Sequence, residues 1–246
     1  MPPSPDPPTC RASPLTRALL ACGAAGGPLF IVVFLIAGAT RPGYDPIRHP
    51  VSSLALGGLG WVQSANFLIT GLLMLAFAVG VRRALRPLGG SLWGPLLIGA
   101  YAVGLFGAGV FTGDPVSGYP PGTPDAIHYT VPGAVHDVFS IPVFIALPIA
   151  CAVVGRWFAR QGRRGWAAYS GATAVVFVAA FVLASLGFGQ AEGLVEYGGL
   201  LQRVAIVAGW GWLVLLAVDL LRAADRALYA AKRQGRNQIV VAPLTE

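Results

Sequence analysis

The sequence predicts an all-α membrane protein, a six-transmembrane helix bundle with both termini cytoplasmic. Three observations predict it. First, 55% of the 246 residues are hydrophobic and only 11% are charged, against roughly a quarter charged in a soluble domain. The mean hydropathy is +0.68, so too little charge is available to cover a water-exposed surface. Second, the chain holds several windows of about 20 residues without a charged side chain, long enough at about 1.5 Å per residue to cross a hydrocarbon core of roughly 30 Å. Third, these windows do not alternate apolar with polar residues, which leaves helices as the only way to pair every backbone group inside lipid.

The elements follow in order. Residues 1–14 are proline-rich and poor in apolar residues, which predicts a disordered cytoplasmic tail. The membrane domain covers residues 15–221. Its first span runs from Leu15 to Thr40, with Gly23 and Gly27 spaced for close helix approach. Arg41 to Ser53, RPGYDPIRHPVSS, then sets two arginines, an aspartate, a tyrosine, a histidine, three prolines and two serines into thirteen positions. Because proline fixes φ and restrains the residue before it, this stretch reads as a rigid polar cap on one end of the bundle. A glycine-rich re-entry, Leu54 to Gly60, leads into the second span, Trp61 to Val81. The third span, Leu92 to Phe111, carries Ala100, Gly104 and Ala108 on one face as a packing stripe.

Thr112 to His136 is the longest connection, with five prolines, four glycines and no Lys or Arg. The fourth span, Asp137 to Val154, contains Pro142 and Pro148, each of which removes a helix hydrogen bond and is expected to bend the helix. The fifth span is Ala167 to Leu186, and a loop with Glu192 and Glu196 precedes the sixth, Leu200 to Leu221. Residues 222–246 read as a basic amphipathic helix and tail on the inner leaflet.

Of the 17 Lys and Arg residues, all but Arg41, Arg48 and Arg203 fall in the termini or in the connections after the second and fourth spans. Basic residues concentrate on the cytoplasmic side of membrane proteins. The net charge of +7 thus reflects topology and contact with anionic lipid, and no nucleic-acid partner is expected. Membrane lipids are the expected partners, and the alternative is a structural or sensory subunit that docks a second membrane protein through the small-residue faces. Cys22 and Cys151 lie in apolar spans and Cys10 in the tail, so no disulfide framework is indicated.

All three histidines, His49, His128 and His136, fall on the opposite, outer side, together with Asp45, Asp114, Asp125, Asp137, Glu192 and Glu196. Arg203, near the start of the sixth span, needs a partner or a cavity, and Asp114 and Asp137 are the expected partners. His49, His128, His136 and Asp114 form an alternative metal set for a membrane-embedded hydrolase. No HExxH, GxSxG or phosphate-cradling loop occurs, so no cofactor is indicated and enzyme chemistry has no positive motif.

The stretch GYDPIRHPVSSL, the sequence FTGDP at the end of the third span, His136, and GLLQR from Gly199 to Arg203 together resemble the bacterial membrane proteins grouped as domain of unknown function family 998, distantly similar to Frag1/DRAM-type six-span proteins. The resemblance covers Leu15 to Leu221 and implies Tyr44, Arg48, Ser52, Asp114, His136, Gln202 and Arg203 as the site positions, without implying a reaction. Leu221 to Ala242 is similar to the end of a GGDEF domain, in which Lys232 and Arg236 would contact a triphosphate. The signature loop and the rest of that domain are missing, so diguanylate cyclase activity is not expected. Together these readings lead to the expectation of an outer polar site that binds a lipid headgroup or small anion through Arg48 and Arg203, with Tyr44, Ser52 and His136 as hydrogen-bonding partners.

Overall fold

The computed structural model describes residues 13–233, and six helices account for most of them. They are α1 (Pro14–Thr40), α2 (Gly60–Leu85), α3 (Trp93–Val110), α4 (Val131–Arg160), α5 (Arg164–Phe188) and α6 (Gly198–Arg233). All six have spans long and apolar enough to cross a membrane. Each packs on its neighbours in sequence, and α6 closes on α1, so the helices form a ring in chain order. An even number of crossings leaves the start of α1 and the end of α6 at one face, where Arg17 pairs with Asp225 at 2.9 Å. That face is here called the terminal face and the other the mouth.

In lipid, helices associate through packing rather than water exclusion, which favours small residues at seams. Gly27 of α1 lies against Trp210 and Val214 of α6, Gly23 against Phe77 of α2, and Gly104 and Gly107 of α3 against Phe139 of α4. The packing stripe read on the third span is thus real at Gly104 and Ala108, both buried. Where the seams are wider, aromatic rings fill them: Phe30 stacks on Trp210 with centroids 5.1 Å apart.

The fourth helix differs most from expectation. It begins at Val131, six residues before Asp137, because Thr130 caps it by accepting from Gly133 N, and Pro132 occupies its first turn, where a missing N–H costs nothing. His136 is therefore a helix residue. The helix also runs through Pro142 and Pro148 to Arg160. Its exit to α5 is short because Gly162 adopts φ +80°, a left-handed conformation that suits glycine.

That turn delivers Arg163 to the only acidic side chain of the sixth span. Arg163 Nη1 and Nη2 meet both oxygens of Asp219 at 2.9 and 2.7 Å, with Phe158 and Trp166 around the guanidinium. Both partners are largely buried, at 9% and 14% side-chain exposure. The expected disordered tail, apart from the α1 boundary at Ser13 and Pro14, lies outside the described residues. So do Arg236 and the side chain of Lys232 in the GGDEF-like segment.

Candidate functional site

The mouth is built from two structures, a clamp and a cavity. The clamp forms because the proline-restrained stretch after α1 folds back on the start of α6. Gly199 N donates to Arg48 O and Leu200 N to Ile47 O, so the first amides of α6, which have no partner within their own helix, are capped by this loop. Arg203, one turn on, donates through Nη1 to His49 O and Gly199 O and through Nη2 to the Tyr44 hydroxyl at 2.6 Å. Its guanidinium also faces the rings of Phe34 and Tyr44. Tyr44 in turn donates toward the His49 and Pro50 carbonyls. Burial raises the Tyr44 phenol pKa, opposed by the adjacent Arg203 charge, so the hydroxyl stays neutral and able to donate.

Arg48 completes the clamp on its outer side. Its Nε donates to Ser117 O, Nη1 to Glu196 and Nη2 to Asp125, both carboxylates at 2.8 Å. It thereby ties the first connection to the third and fifth. His49 is buried between them: its Nδ1 accepts from Asp45 N at 2.9 Å, so its Nε2 is the donor to Ser117 O at 3.1 Å. The bond that Nδ1 accepts requires the neutral ring, and burial lowers the ring's pKa against the opposing pull of the Ser117 carbonyl.

These contacts correct one expectation and bear on a second. Arg203 is not partnered by Asp114 or Asp137: α6 closes on α1, which carries the Tyr44 loop, and carbonyl dipoles with aromatic faces take the place of a carboxylate. Arg48 gives Nε, Nη1 and Nη2 to bonds within the protein, and Arg203 gives Nη1 and Nη2, while Arg203 Nε is buried without a partner among the described residues. Asp114 accepts from Thr130 N and Thr130 Oγ1 at 2.8 and 2.6 Å, holding the cap of α4. It sits so tightly over Gly133 that a Cβ there would collide with its carboxylate.

The cavity opens beside the clamp and measures about 460 Å³. Its interior is lined by Phe30, Phe67, Tyr101, Phe144 and Trp210, and its entrance by Ser52, Asp114, His136, Asp137 and Gln202. Ile141, Ile145, Phe181, Ser185 and Phe188 also line it. Ile141 and Ile145 are each 53% exposed on the outer surface of α4. The cavity therefore reaches that surface through a slot between the mouth-side halves of α4 and α5, above the stacked pair Phe144 and Phe181, whose centroids are 3.9 Å apart.

Of the seven site residues expected from sequence, Tyr44, Arg48 and Arg203 thus belong to the clamp, while Ser52, Asp114, His136 and Gln202 line the cavity. Gln202 joins the two: its Oε1 accepts from Val51 N at 2.8 Å. Its NH2 group has no protein partner among the described residues. His136 Nδ1 donates to Phe111 O at 2.7 Å, which leaves Nε2 on the cavity side without a partner among the described residues. His128 is exposed and His49 is enclosed in the clamp. The alternative metal set is therefore not assembled, and no three His, Cys, Asp or Glu side chains gather for a metal among the described residues.

Sequence reasoning missed the aromatic interior and the Ser117 carbonyl that receives both Arg48 and His49. It also missed Gln63, Asn66 and Thr70, buried along one face of α2, with Asn66 donating to Phe30 O. Their helical spacing in an apolar span was the available signal, just as the lone acid of the sixth span was for Asp219.

A family model described as "Protein of unknown function (DUF998)" matches residues 24–219. No curated protein and no solved structure matches the chain.

Proposed function

The chain belongs to the DUF998 family, and from that premise we propose that this multi-pass membrane protein binds a lipid, with the apolar chain inside the helix ring and the headgroup at the mouth. The observation that carries this reading is the cavity itself. At about 460 Å³ it falls within the range of small-molecule sites. An aromatic interior beneath a polar entrance matches an amphipathic molecule, and a slot between α4 and α5 lets such a molecule enter from the bilayer without crossing water.

The mouth is assigned to the extracytoplasmic side of the cell membrane, since the basic residues concentrate at the terminal face. The clamp then serves as scaffold, holding Gln202 and the first connection at the edge of the cavity. Beyond the 15–221 membrane domain, α6 continues unbroken to Arg233, and its exposed Arg222 and Arg226 meet the inner-leaflet surface where the helix leaves the membrane.

Native mass spectrometry of the protein purified in mild detergent tests the reading. Wild type is expected to retain a lipid adduct. A variant combining Ala108→Leu with Ile206→Phe, which fills the cavity, is expected to lose it while keeping its helical content. An adduct of equal abundance in the filled variant would exclude the cavity as the lipid site.

A further inference from the structure

The charged groups of the cavity are acidic, and the basic ones stand elsewhere. Asp114 and Asp137 line it, and no Arg or Lys is among its lining residues. The three nearby guanidinium groups spend donors on the protein itself, although Arg203 Nε is buried without a partner among the described residues, and none of the three lines the cavity. Arg48 pairs with Asp125 and Glu196, Arg203 with backbone carbonyls and Tyr44, and Arg41 donates to the carbonyls of Leu54 and Leu56. A phosphate in the entrance would therefore meet two carboxyl groups without a compensating cation.

The free hydrogen-bonding capacity points the same way. His136 is 4% exposed, and its Nε2 is an acceptor facing the cavity, because the Phe111 carbonyl requires the proton on Nδ1. Asp137, the next residue on α4, has no hydrogen-bond partner among the described residues. Ser52 lines the same entrance and is likewise unpartnered there. Each of the three offers an acceptor to the entrance, and an ammonium group has three donors to give. The NH2 of Gln202 remains for an ester or hydroxyl oxygen of the ligand.

Building on the proposed lipid site, we infer that the ligand is an amphiphile whose leading headgroup is a protonated amine, held by His136 Nε2, Asp137 and Ser52, and that phosphate-led headgroups are rejected. Charge-assisted hydrogen bonds to a carboxylate are about twice as strong as neutral ones. Repulsion from Asp114 and Asp137 acts against an anion at the same place.

The test uses alkyl chains of one length carrying a bromine near the tail and an amine, a phosphate or a hydroxyl head. Bromine quenches tryptophan on contact, and Trp210 lines the interior. The Trp210→Phe variant supplies the background from the other five tryptophans. At neutral pH the amine probe is expected to quench Trp210 with at least roughly tenfold higher affinity than the phosphate probe. Asp137→Asn, at an exposed position, is expected to erase most of that preference by weakening the amine probe far more than the uncharged hydroxyl probe. Equal affinities for the three heads, or a preference that survives Asp137→Asn, would overturn the amine assignment and leave the lipid site standing. If none of the probes quenches Trp210, both fall. Methylamine is expected to compete only at far higher concentration; competition at equal concentration would mean that a soluble amine, not a lipid, is the ligand.

Discussion

Arg203 shows how a charge is kept near the start of a membrane helix without an acidic partner. Three oxygen acceptors and two aromatic faces surround it, and no lysine could satisfy that geometry with one ammonium. Arg203→Lys is therefore expected to lower the unfolding free energy in detergent nearly as far as Arg203→Ala, each by on the order of 3 kcal/mol; full rescue by lysine would show that charge alone matters. His49 makes the clamp sensitive to acid. Its folded pKa lies below the ordinary value of about 6.5, so the unfolded chain takes up the proton first. Stability is thus constant above about pH 6.5 and declines as pH falls below it. Thermal unfolding between pH 5 and 8 measures this, and His49→Asn, whose amide oxygen can replace Nδ1 as acceptor from Asp45 N, is expected to flatten the profile.

Individual helices are fixed by a few contacts at their ends and seams. The cap of α4 depends on Asp114 reaching Thr130 across Gly133. Gly133→Ala is expected to push Asp114 away and cost about 1–2 kcal/mol, the usual value of an N-cap. At the terminal face, the Arg163 and Asp219 pair joins the α4–α5 turn to α6. Removing one partner by Asp219→Asn strands a buried guanidinium and is expected to cost about 3–5 kcal/mol, whereas Arg163→Met with Asp219→Leu costs much less. Chemical unfolding of the single and double variants measures the difference. If the single replacement were harmless, the pair would not hold the turn in place.

For the whole molecule, the ring closes because α6 returns to α1. One end of that seam holds the clamp, and the other holds Arg17 and Asp225. Its orientation in the membrane is checked by labelling single cysteines in intact cells, with Cys10, Cys22 and Cys151 replaced by serine or alanine. Tyr129→Cys, at the mouth, is expected to react with an impermeant reagent, and Arg86→Cys, at the terminal face, only after lysis. The reverse pattern would invert the topology and place the cavity entrance in the cytoplasm.

The six spans, their order and the small-residue seams were legible in the sequence, because lipid imposes length and hydropathy on every crossing helix regardless of its neighbours. The polar positions at the mouth were legible too, as rare groups in an apolar chain. What each polar group faces was decided only in three dimensions. Arg203 found carbonyls instead of carboxylates, and His136 and His49 came to occupy separate places. Rings from α1, α2, α3, α4 and α6 left a cavity between them. Those outcomes depend on which helix faces meet across the ring, and that is a property of packing among distant segments, not of any one stretch of chain.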